Sequence, residues 1–286
     1  MNVYLILFIQ VFIAGGTHVV AKAVVNDIDA VTLTFIRSLV SSAGLLAIFV
    51  VKEGRLKIEK GDWRKIVLLG FLGLPVNQYL YLYGMKFTTP ANGALLYAAT
   101  PVLVLVLSYF MLGERVTVQK TIGILLAFAG IVLVIFERGI DLSSSYAYGN
   151  VIILLAVLAW AFFTILGKPM IVKYGAFHTT SVAMIAGMFL FAPVGLVFSW
   201  DYPLSTITLS HWAGILYLGI GTSILGYVLW YYALGKIETS KAAVFANGQP
   251  IVATLMAIAF FDYSLTIPFV IGGVITIVGV VLTQLG

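Results

Sequence analysis

The sequence predicts an all-α integral membrane protein of ten transmembrane helices, arranged as two inverted five-helix repeats. Three observations lead there. The first is composition: 62% of the 286 residues are hydrophobic and 9% are charged, where a soluble domain carries roughly 25% charged residues. Such a chain has too few polar side chains to cover an aqueous exterior, so most of its solvent is lipid. The second is an internal repeat. Slid by about 149 positions, Trp63 falls on Trp212, Tyr83 on Tyr232, Pro101 on Pro250, Gly123 on Gly272 and Gly130 on Gly279, without a gap. A period of that size sets the architecture before any local propensity does. The third is the alternation of basic and non-basic connectors between the apolar runs.

A spanning helix needs about 20 apolar residues. Ten runs qualify, at 3–25, 30–51, 65–86, 90–112, 119–137, 149–172, 178–200, 209–233, 239–261 and 267–285. The connectors are short and hold no soluble domain. The repeats are therefore expected over 1–140 and 147–286. No Lys or Arg precedes Lys22, so the first run lacks the basic start of a cleaved signal peptide and is expected to stay as a span.

Basic residues cluster in alternate connectors: Lys52, Arg55, Lys57, Lys60, Arg64 and Lys65, then Arg115 and Lys120, then Lys173, then Lys236 and Lys241. The opposite set carries only Lys22, Lys86 and Arg138. The rich side is expected in the cytoplasm. With an even number of spans, both termini lie there too. Five spans per half is an odd number, so the second half enters the membrane in the opposite sense to the first. Secondary transporters are built this way, with the solute site near the midplane between the halves.

The same residues exclude other classes. A net charge of +5 sits in topology-setting connectors, which removes a nucleic-acid partner. The absence of cysteine removes disulfides, iron–sulfur clusters and thiol catalysis. His18, His178 and His211 lack metal-ligand spacing, and there is no phosphate-binding G-x-x-x-x-G-K-[ST] loop. No metal or cofactor is expected. No paired acids or activated nucleophile lie inside the spans, so an intramembrane enzyme is not expected either.

Polar groups within hydrocarbon are costly and should face the bundle interior. The third span carries Asn77, Gln78 and Tyr81. The eighth carries Tyr227, Trp230 and Tyr231, spaced i, i+3, i+4 on one helical face. These are expected to line a cavity, whereas Tyr83 and Tyr232 suit the interfacial belt. In the fourth span Tyr97, Thr100 and Pro101 share a face, and the ninth places Ala246, Gln249 and Pro250 at the same positions, with Asn247 beside them. Each proline lacks an N–H and clashes with the carbonyl four residues back. Kinks with freed carbonyls of Tyr97 and Ala246 are therefore expected, and matched interruptions point to a transport site. The alternative is a kink that serves shape alone.

The first and sixth spans align with an offset of about 146, which pairs Lys22 with Lys168 and Ala14 with Trp160. The lysines are read as gates or anion attractors at the two mouths, against simple snorkelling. His18, near mid-span, is a candidate carrier of a coupling proton, against a plain hydrogen-bonding role. Arg37 is expected to pair with Asp27 or Asp29, with solute binding as the alternative. In the fifth and tenth spans, Gly123/Ala127 and Gly272/Thr276 form small-residue ridges for packing, within the bundle or between subunits of a homodimer.

With these residues in place, the chain resembles the EamA type of the drug/metabolite transporter superfamily. The resemblance rests on the five-span duplication, the prolines of the fourth and ninth spans, Gly113-Glu114 closing the fourth, and the positions of Lys22, Arg37, Trp160 and Lys168. The second half closes with Asp262-Tyr263 where the family pattern repeats Gly-Glu. The resemblance implies an inner- or plasma-membrane carrier, often an exporter of amino acids or related metabolites. It also implies a cavity lined by spans 1 to 4 and 6 to 9. The expected function is thus secondary transport of a small metabolite such as an amino acid, by alternating access in the lipid bilayer. Uptake of another small organic solute, or a channel, are the alternatives.

Overall fold

In the computed structural model, residues 2–137, 144–261 and 267–286 are described. Arg138 and the Asp262-Tyr263 stop lie outside them. The described residues are helical nearly throughout. Among the described residues, seven helices are long and apolar enough to cross a membrane. Shorter apolar stretches, Val118–Leu133 and Val270–Leu285, accompany them.

Helix α1 (Val3–Val25) begins where Asn2 accepts from the Tyr4 N–H, and α2 (Ala30–Lys52) where Asp29 accepts from Val31 and Thr32. Such side chains satisfy N–H groups that a helix start leaves unpaired. Helix α3 (Lys60–Phe87) is one apolar rod whose middle, Leu72–Gln78, widens into π-helix. Helix α4 has two pieces, Pro90–Ala98 and Thr100–Leu112, broken at Ala99 before Pro101. It stops at Gly113, whose φ of 66° is a left-handed conformation that glycine adopts without Cβ strain. Helices α5 (Val118–Glu137), α6 (Ser144–Tyr174) and α7 (Ala176–Ser199) follow.

Helix α8 (Leu209–Leu234) repeats the design of α3, with π-helix over Tyr217–Gly226. Helix α9 runs as Thr239–Ala243, a 3₁₀ segment Val244–Gly248, then Gln249–Phe261, so the break again precedes the proline. Here the expectation of a freed carbonyl needs correction. Ala246 accepts from the Gln249 N–H, so the 3₁₀ turn consumes the acceptor that Pro250 would have stranded. Helix α10 (Ile267–Leu285) is last.

Small residues set the closest approaches. A Cβ on Gly70 would stand 2.7 Å from the Gly187 nitrogen, and one on Gly219 would stand 3.2 Å from the Arg37 carbonyl. Thus α3 meets α7, and α8 meets α2, backbone to backbone at corresponding places. Between α5 and α10, Gly123 faces Gly279 and Gly130 faces Gly272, so the two helices run antiparallel. Thr276 and Thr283 return their hydroxyls to Gly272 and Gly279, 2.8 and 2.9 Å away. In lipid such contacts hold helices together by van der Waals packing rather than by water exclusion.

Candidate functional site

The two π segments bring their polar residues together at mid-bundle. A π turn adds a residue to the helical circuit and often marks a functional site. Asn77, at the end of the first, is the hub. Its Nδ2 donates to Tyr97 Oη and to the Ala156 carbonyl, each at 2.8 Å, and its Oδ1 accepts from Tyr227 Oη at 3.0 Å. One side chain therefore joins α3, α4, α6 and α8.

Around this hub lies a cavity with about 70 Å³ open to the centres of water-sized molecules. At ~10–15 Å³ per water, that is room for only a few small groups. Asn77, Gln78, Tyr81, Tyr97, Trp160 and Tyr227 line it, as do His18, Arg37 and Gln249. The sequence offered Asn77, Gln78, Tyr81, Tyr97, Trp160, Tyr227 and Gln249 as solute-site candidates and His18 as a coupling candidate, whereas Arg37 was expected in an ion pair. Helix α7, which the resemblance would include, contributes no lining residue. No lining residue is acidic.

His18 is held at both ring nitrogens, with Gln249 Oε1 3.2 Å from Nε2 and Tyr81 Oη 2.9 Å from Nδ1. A neutral imidazole fits this arrangement, with Nε2–H donating and Nδ1 accepting. The contact is set by α1 lying close on α9: a Cβ at Gly15 would be 2.9 Å from the Gln249 carbonyl.

The expected pairing of Arg37 with Asp27 or Asp29 is not formed. Asp29 is occupied in capping α2, and Asp27 lies 3.0 Å from His211 Nε2. Arg37 instead points inward at 1% exposure. Its Nη2 donates to Ser223 Oγ at 2.9 Å and to the Leu218 carbonyl at 3.2 Å, both in the α8 π segment. Its Nε has no partner.

Six expected site residues stand elsewhere. Trp230 and Tyr231 do share the face of Tyr227, but α6 covers that face below the cavity. Trp230 Nε1 donates to Thr164 Oγ1 at 3.2 Å, and Tyr231 stacks on Phe163 at 4.7 Å and donates to its carbonyl at 3.0 Å. Thr100 and Asn247 are fully buried without partners for their side-chain polar atoms, and neither lines the cavity. Pro101 and Pro250 mark the breaks of α4 and α9, and neither lines the cavity.

The lysines lie at opposite ends of the bundle. Lys22, near the end of α1, donates to the Met85 and Lys86 carbonyls at the end of α3, at 2.9 and 3.3 Å. Lys168 shares a surface recess with Tyr4, at the start of α1. It donates to the Ile237 carbonyl just beyond α8 at 2.7 Å and lies 3.4 Å from Glu114 Oε1. Each thus caps the negative end of a corresponding helix.

Sequence reasoning missed several groups. Gln10 lines the cavity with a buried, unpartnered Oε1, and an amide inside an otherwise apolar run was its signal. Thr17 on α1 and Thr222 on α8 line the cavity too and share a 2.8 Å hydrogen bond. Glu114 crosses to α9 and accepts from the Thr239 and Ser240 N–H groups at 2.6 and 3.1 Å. Burial pushes its carboxyl up, but those hydrogen bonds and Lys168 outweigh it and hold the group below the ordinary range.

Comparison with known proteins agrees with this architecture. The EamA-like transporter family model matches residues 1–136 and again 147–285. "Uncharacterized transporter YyaM" of Bacillus subtilis is 30% identical, covering 98% of this chain and 92% of its own length. A WAT1-related protein of Arabidopsis thaliana is 26% identical, over 95% of this chain and 74% of its own. A solved crystal structure superposes with a TM-score of 0.79 at 18% identity, covering 99% of this chain and 96% of its own, which bears on the fold alone. The family match over both segments and the relatives' names point to a transporter rather than an enzyme, and this multi-pass membrane protein belongs to the EamA-like transporter family of the drug/metabolite transporter superfamily.

Proposed function

We propose that the protein is a secondary carrier that exports a small organic metabolite, an amino acid being the first candidate, by alternating access between two inverted five-helix repeats. Residues 1–140 and 147–286 form the repeats, all ten helices span the cell membrane, and both termini face the cytoplasm. The observation that carries this reading is the pair of lysine caps. A cavity walled by both halves has Lys22 fastening α1 to α3 at one end and Lys168 fastening α6 to α8 at the other. Opening either face calls for one set of contacts to loosen while its counterpart holds. Two states of similar energy follow from equivalent parts, whereas a channel would need both ends open at once. Export as the direction rests on the family resemblance.

Reconstitution tests this. In proteoliposomes, unlabelled solute on the far side should accelerate entry of labelled solute, an exchange that an open pore does not show. If no member of a broad metabolite panel moves faster than in empty liposomes, the carrier reading fails.

A further inference from the structure

Resting on the carrier reading but departing from an amino acid as its solute, we infer that Arg37 is the anchor for an acidic group of the solute, so that the cavity selects small monocarboxylate anions over zwitterions, amides and amines. A guanidinium remains charged at any physiological pH. A buried charge is retained at large desolvation cost unless something compensates it. Arg37 is buried at 1% exposure and faces the cavity, yet it takes part in none of the ion pairs among the described residues. The polar groups that share the cavity are amides, hydroxyls, an indole and the neutral-bonded His18. The cavity lining therefore holds one positive charge and no negative one.

The guanidinium is also half used. Ser223 and the Leu218 carbonyl fix its Nη2, while Nε, buried, meets no acceptor. Nε–H lies beside one Nη2–H, and the two form a fork that holds a carboxylate through two parallel hydrogen bonds once Nη2 turns one of its donors from Ser223 or the Leu218 carbonyl to the solute. A second unpartnered atom on the cavity wall, Gln10 Oε1, is an acceptor. A solute bearing a carboxylate and one hydroxyl or N–H donor satisfies both. An ammonium group finds no acid in the cavity to neutralise it.

The test uses the full-length protein in detergent and in proteoliposomes. The probes are lactate, phenyllactate, the primary amide of each, and the matching amino acids and amines. Wild type should bind the acids at least ~10-fold more tightly than their amides, judged by thermal stabilisation, and should exchange the acids across the bilayer. Arg37→Gln should keep the amide affinity and lose the preference for acids. Arg37→Lys, which keeps the charge without the fork, should retain part of the preference and shows whether loss in the first variant is loss of folding. Equal or tighter binding of amino acids, amides or amines by wild type overturns the inference while leaving the carrier reading intact. So does an acid preference that survives in Arg37→Gln. Absence of binding and exchange for every probe overturns the inference, and it fails the carrier reading as well if a broad metabolite panel is equally inert.

Discussion

Asn77 shows how much one side chain holds in this bundle. It satisfies Tyr227, Tyr97 and the Ala156 carbonyl at once, and truncation would take a hydrogen bond from each in the bundle interior, leaving the Tyr227 hydroxyl its longer contact of 3.3 Å to the Gly73 carbonyl. A buried polar group left unpaired costs about 1–3 kcal/mol. Asn77→Ala should therefore lower the unfolding free energy by roughly 2–4 kcal/mol, seen as a lower melting temperature in detergent, and should abolish exchange in proteoliposomes. Unchanged stability would mean that the hub is not formed. Asn77, Gln78 and Tyr227 were legible from the sequence because amides and hydroxyls deep in apolar runs have no inexpensive place but the interior. The partner of Arg37 was not. Asp27 and Asp29 are close in sequence, but the local backbone of α2 claims Asp29 first, and which face Arg37 takes depends on how α8 packs against α2.

Breaks in α4 and α9 were readable at the scale of elements, because proline removes a donor whatever surrounds it. The π segments of α3 and α8 were not, since a shift in backbone hydrogen-bond register leaves little mark on side-chain periodicity. The contact between the end of α4 and the start of α9 was equally hidden: Glu114 reads as a charged stop, and only the fold brings the Thr239 and Ser240 N–H groups to it. A carboxylate at a helix start is favoured by the exposed N–H groups and the macrodipole. Its carboxyl is held below the ordinary value of 4.5. The stability it adds is then complete above that value and is lost as pH falls below it through the folded-state value. Glu114→Gln should lower the melting temperature at pH 7 by the equivalent of about 1–2 kcal/mol. The gap between variant and wild type should close as pH drops below 4.5. A gap that is independent of pH would show that charge on Glu114 contributes nothing.

Across the whole molecule, the close approaches come in corresponding sets: α3 on α7 and α8 on α2, with the α5–α10 seam running antiparallel from Gly123 opposite Gly279 to Gly130 opposite Gly272. A duplicated unit can produce such exchanged contacts through a two-fold axis. If that axis lies in the membrane plane, connectors at corresponding positions must emerge on opposite faces. Lys60, at the start of α3 where the connector from α2 ends, and Ser205, between α7 and α8, are such a pair, and both are exposed. The chain has no cysteine, so each substitution creates a single reactive site. Lys60→Cys should react with a membrane-impermeant maleimide in inside-out vesicles, and Ser205→Cys in right-side-out vesicles. Both substitutions lie far from the cavity, so neither should alter exchange. If the two variants react from the same side, the halves are parallel. The matched lysine caps would then face one compartment, and no rocking of one half on the other could open the cavity alternately to the two sides.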